Sequence, residues 1–140
     1  VYADVFDGSA TRAYYADLAE NYLADGEYNT GTVLVLGGDY EVTESTKKDD
    51  TRVAGVISEN PAHLMNSELE GTNVAQIALQ GRVPCKVIGR IVKGDIIVCS
   101  AVPGHGMVNN KPQAGSIIGK AVSEKDTDGK GIVEVLVGKA

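Results

Sequence analysis

Tryptophan is absent from this chain of 140 residues, phenylalanine occurs once, and aromatic residues make up only 5%. A core built on large rings is therefore excluded, and the apolar share of 43% must come mainly from Val, Ile, Leu and Ala. Cysteine is scarce as well. Cys85 and Cys99 are too few for a disulfide framework, and neither has a CxxC partner or a neighbouring His. Each lies in an aliphatic strand-like run, so both are expected to be buried and reduced. No stretch approaches the roughly 20 apolar residues of a membrane helix, and no signal peptide is visible, so membrane insertion is not expected. Basic residues are the minority, 13 Lys and Arg against 19 Asp and Glu, for a net charge of −6. Nucleic acid is thereby disfavoured as a partner, because phosphate binding needs concentrated Lys and Arg. His63 and His105 are isolated, and Asp126-Thr-Asp-Gly lacks the spaced acid that completes a calcium loop. Neither a metal nor a cofactor is expected.

What the chain does have is glycine, 17 residues of it, punctuating short β-branched runs. Apolar strands are expected at 32–36, 40–44, 52–58, 73–79, 82–87, 95–99, 116–123 and 132–137, with Val83, Cys85 and Val87 on one face. Pro84 removes a ladder donor, which places its strand at an edge or on a bulge. Pro61 to Asn66 reads as a single helical turn with Pro at its first position. The loop at 45–51 carries Lys47, Lys48, Asp49 and Asp50 and reads as solvated, and that at 102–114 is rich in turn formers; both are expected to be exposed. No fixed-period repeat is visible. This is the pattern of a small β-barrel or β-sandwich body.

One stretch breaks the pattern. Tyr15, Leu18, Ala19 and Tyr22 fall at i, i+3, i+4 and i+7, while Asp17, Glu20 and Asn21 lie opposite, the spacing of an amphipathic helix that ends at Gly26. Such a helix is marginal alone, so its apolar face must be buried, either on its own β-body or against copies of itself. Upstream, Val1 to Phe6 alternates like a lone strand, the last rung of a longer β-structure. The fold class expected is thus mainly β, a short N-terminal strand and one helix preceding the body. The divisions are 1–14 as stalk end, 15–28 as helix or neck, and 29–140 as body.

The series Phe6-Asp-Gly-Ser-Ala-Thr-Arg-Ala, Tyr15-Ala-Asp-Leu-Ala-Glu-Asn-Tyr, Gly31-Thr-Val-Leu, Val53-Ala-Gly-Val-Ile-Ser, Asn60-Pro-Ala-His-Leu-Met-Asn, Ala78-Leu-Gln-Gly-Arg-Val-Pro-Cys-Lys-Val, Lys93-Gly-Asp and Gly119-Lys-Ala resembles the C-terminal domain of tailed-bacteriophage tail fibre and appendage proteins. The resemblance runs along essentially the whole chain. It implies a virion structural protein, assembled in the host cytoplasm as a homotrimer, that caps an upstream fibre stalk and sets its register. The partners implied are the chain itself, the stalk or other virion proteins, and a host surface receptor at the exposed loops. The interface would be Tyr15, Leu18, Ala19 and Tyr22.

Some relatives are self-cleaving intramolecular chaperones that use an Asp-x-x-Glu pair. Carried over, Asp17 and Glu20 would share a proton and the bond cut would be Ala16–Asp17, although Ala16 offers no hydroxyl and no other nucleophile is obvious. Solvated carboxylates on a helix are the plainer alternative, and no enzyme activity is expected. A capsid decoration protein, also a small acidic trimeric β-barrel, is the other alternative. A chain beginning at Asp25 would keep the whole body, and should fold.

Overall fold

The structure, a computed structural model, describes residues 17–138. Among them there are ten strands and no helix: β1 (Leu18–Leu23), β2 (Val33–Leu36), β3 (Val42–Glu44), β4 (Val53–Ile57), β5 (His63–Met65), β6 (Val74–Ile88), β7 (Ile96–Cys99), β8 (Gly106–Val108), β9 (Ile117–Ala121) and β10 (Lys130–Val137). The all-β body is as expected, and the helix is not. Leu18–Leu23 runs antiparallel to β6 and parallel to β5; it pairs with β6 from Leu18↔Gln80 to Leu23↔Val74, with one slip between Leu18 and Ala19. β6 pairs with all six residues and β5 with Leu18 to Glu20, and this tertiary pairing outweighs the weak preference of a short helix that is marginal alone. The expected helical turn at 61–66 is corrected for the same reason, since His63–Met65 pairs with β1. Residues 1–14, expected as the stalk end, lie outside the described residues.

β6 organises everything else. The two strands expected on either side of Gly81 are one strand of 15 residues, bent through that glycine at φ 108°. Its N-terminal half belongs to one ring of strands and its C-terminal half to another. In the second ring β6 pairs with β10, β10 with β9, β9 with β7 and β7 with β8, all antiparallel, and β8 closes on β6 in parallel at Val87↔Gly106. This is a closed five-stranded barrel. In the first ring β1 pairs with β6, β6 with β4, β4 with β2 and β2 with β3, again all antiparallel. A parallel bridge, Ala24↔Val42, returns β3 to the end of β1. There Glu41 N–H donates to the Leu23 carbonyl, and the Glu41 carboxylate accepts from Leu23 N–H at 2.9 Å.

The two rings have one topology, and their registers coincide. β2 and β4 slip between Leu34 and Val35, opposite Gly55; β7 and β9 slip between Ile97 and Val98, opposite Gly119. A Cβ added at Gly55 would stand 2.7 Å from Ile77, and one at Gly119 would stand 2.7 Å from Val135. Both glycines permit the same close approach at the same bulge. The inward residues of the first ring, Ala24, Leu34, Ile57, Ala75 and Ile77, correspond by register to Val87, Ile97, Ala121, Val133 and Val135 of the second. Sizes trade between the sets, Ala24 with Val87 and Ile57 with Ala121, so each core fills by a different choice of large and small residues. A repeat is therefore present after all. It survives in hydrogen-bond register and glycine position, while the loops differ in length and β5 is inserted into the first copy alone.

The larger core cluster also contains Val33, Val35, Val56 and Ala78, from strands of the first ring whose other face looks inward to Leu34 and Ile77. The rings are thus packed on one another as well as joined by β6. Pro84 sits on neither a bulge nor a disrupted ladder: the β6/β10 register is unbroken through Pro84↔Glu134. Lys86 N–H points away from β10 to the Gly31 carbonyl at 2.9 Å, so two residues earlier the missing donor of Pro84 also faces away from that ladder.

Candidate functional site

In a strand, residues three apart point to opposite faces, so Asp17 and Glu20 do not form a pair. The two are held by different partners. Tyr22 Oη donates to Glu20 Oε1 at 3.2 Å, whereas Asp17 is buried and accepts from Ser58 Oγ at 2.6 Å. The Asp17 carbonyl also accepts from Ala62 N–H. Burial raises the Asp17 pKa above its ordinary value, and the Ser58 hydrogen bond offsets part of that rise. Asp17 and Ser58 line a small cavity of about 120 Å3 together with Thr30, Arg82 and Pro84. Sequence spacing gave no sign of Ser58, which is brought in by β4 from 41 residues away.

Of the four residues proposed as an oligomer stripe, the three that are described do not share one face. Tyr15 lies outside the described residues. Ala19 is fully buried on one face of β1, while Leu18 and Tyr22 are half-buried on the other, and Tyr22 packs against the core of the first ring in its own chain.

Cys85 and Cys99 are both free and fully buried, and burial pushes both thiols up to about 12. They belong to the core. His105 is held through Nδ1 by the Pro103 carbonyl at 2.8 Å, and His63 is exposed on β5. Asp126 and Asp128 in the β9–β10 turn both engage Arg90, so that turn is closed by a guanidinium. Among the described residues no group of three or more His, Cys, Asp or Glu is placed to hold a metal ion.

The two loops expected to be exposed are brought together. Lys47, Lys48, Asp49 and Thr51 face Asn109, Lys111 and Gln113 across an open groove of about 470 Å3. Asn109 Nδ2 donates to Asp49 Oδ1 at 2.9 Å, and Asn109 Oδ1 accepts from Lys111 N–H, so one side chain fastens both loops. Asp49 takes a left-handed φ of 57°, and its N–H donates to the Cys99 carbonyl at 3.0 Å. Behind it Asp50 is buried and accepts from Arg52 Nε and Nη2, a pairing that lowers its pKa. Each segment was legible in the sequence as a loop, although Gly106–Val108 of the second forms β8. Their meeting was not, because it depends on the packing of the two rings.

No family model matches this chain, and no curated protein matches it. Among solved structures it is similar to the head fiber gp8.5 N base in bacteriophage phi29, with 13% sequence identity over 87% of this chain and 89% of that one, at a TM-score of 0.43. A likeness that loose carries no argument about the role of this chain.

Proposed function

We propose that this chain is a non-enzymatic structural protein of a phage virion, the C-terminal trimerisation and capping domain of a tail fibre. The observation that carries the proposal is the ordered motif series that resembles that family, whose described residues fall on the positions that build the double ring. Gly31 meets β6 through its carbonyl, Gly55 and Gly119 lie at the two bulges, Ala78 to Val87 spans the bend of the shared strand, and Gly94 precedes β7. Closed rings also suit a terminal cap. They leave little free strand edge, and β5, which pairs with β1 alone, is three residues long.

In this reading residues 1–14 end the stalk, and three bodies hold three chain ends level. Strands with alternating side chains have many near-degenerate alignments, and a one-residue slip exchanges every inward side chain for an outward one. A trimer that forms through the body removes the ambiguity. Light scattering should give a mass three times that of the chain, independent of concentration over the working range. A constant monomer mass would remove the trimer and the register role with it. Mass spectrometry of the same material should find one intact chain; a product beginning at Asp17 would favour the self-cleaving chaperone.

A further inference from the structure

We propose that the groove between the β3–β4 and β8–β9 loops is a binding site for an acidic saccharide, a polyhydroxylated chain carrying sulfate or phosphate esters. The inference does not rest on the assembly role. It starts from the charge on the groove, which opposes that of the molecule: Lys47, Lys48 and Lys111 stand against the single carboxylate of Asp49, in a chain of net charge −6. All three lysines are exposed, and none makes a salt bridge among the described residues. Asp49 has one oxygen engaged by Asn109.

The repeat explains how this concentration arises. β3 ends at Glu44 and β8 at the corresponding Val108, so the third residue onward is Lys47 in one copy and Lys111 in the other. Two equivalent loops, one from each ring, thus bring lysines to the two sides of a single groove. The Asp49–Asn109 hydrogen bond fixes their spacing, so little ordering remains to be done on binding.

The lining selects the ligand. Thr51, Asn109 and Gln113 offer neutral donors and acceptors suited to hydroxyl groups. Lysine ammoniums are point charges of the kind that bind phosphate, so three of them suit a tetrahedral sulfate or phosphate without an arginine fork. No aromatic residue lines the groove, so bases have no platform to stack on, and no apolar side chain lines it to anchor a peptide.

The test is a calorimetric titration of the intact protein at low salt with sulfated dextran oligomers and, separately, phosphorylated dextran oligomers of the same length. Neutral dextran, polyglutamate and single-stranded DNA of matched charge serve as comparisons. Binding of either ester and not of neutral dextran is expected, weakening as salt is raised; which ester binds more tightly identifies the anion. The double variant Lys47→Gln, Lys111→Gln should lose at least about tenfold in affinity, since most of the charge facing the ligand is removed. Lys130→Gln, outside the groove, should leave binding unchanged. Failure of both esters to bind, equal binding by the double variant, or tighter binding of polyglutamate or DNA would overturn the proposal.

Discussion

Asp17 and Asp50 are both buried carboxylates, and their surroundings push them in opposite directions. Asp50 has a guanidinium on it, so its ionised form is favoured; Asp17 has only a hydroxyl, and burial dominates. With a folded pKa above the unfolded one, Asp17 ionises more readily in the unfolded chain. Raising the pH through that interval therefore costs stability. Asp17→Asn keeps an acceptor for Ser58 and carries no charge. Relative to the parent, the variant should gain in thermal midpoint as pH rises from the ordinary carboxylate range towards neutrality. Parallel pH profiles for the two proteins would show that Asp17 carries no such burden. This acid was visible in the sequence, but its partner was not: helical spacing pointed to Glu20, and the actual partner, Ser58, lies just past β4, 41 residues away. The cysteines were legible in full, because an isolated thiol among Val and Ile needs nothing distant to explain it.

At the scale of elements, the runs of β2, β7, β9 and β10, flanked by glycine, and of β4, closed by Asn60-Pro61, were legible within a residue or two, since turn chemistry and period-two alternation agree there. β1 was not. Leu18, Ala19 and Tyr22 satisfy a helical stripe, but Ala19 and Asn21 equally satisfy alternation, and six residues cannot separate the two patterns. The tertiary partners decide it: β1 is ladder-paired to β6 over its whole length, and its end carries the bridge that closes the first ring. A chain beginning at Asp25 therefore removes one wall of that ring, leaving Ala75 and Ile77 exposed and β6 with an unpaired edge. Such a chain is expected to be aggregated or unfolded, with circular dichroism lacking the β signal of the parent. A soluble, folded protein from Asp25 onward would mean that β1 is an accessory strand.

At the scale of the whole molecule, two copies of one ring could behave as two domains or as one, and the shared strand decides between these. β6 supplies a wall to both rings, so opening either one strips hydrogen bonds and apolar cover from a strand the other needs. Val33, Val35, Val56 and Ala78 of the first ring are also part of the cluster that holds Cys85, Ile97 and Val133 of the second, so the larger core is not confined to its own ring. Exposing that cluster costs roughly 1.5–3 kcal/mol for each fully buried aliphatic side chain, a large fraction of the 5–15 kcal/mol that keeps a domain folded. Neither ring can then melt while the other stays intact, and the protein should unfold in a single step. The chain carries its own reporters for this. Every tyrosine lies before residue 41, with Tyr22 and Tyr28 packed on the first core, while both cysteines lie in the second ring. In a urea titration, tyrosine fluorescence and the reactivity of the thiols towards a maleimide should therefore follow one curve with one midpoint. Thiols that become reactive only at a higher urea concentration than the tyrosine transition would show that the second barrel survives alone, and that the duplication has kept two separable domains.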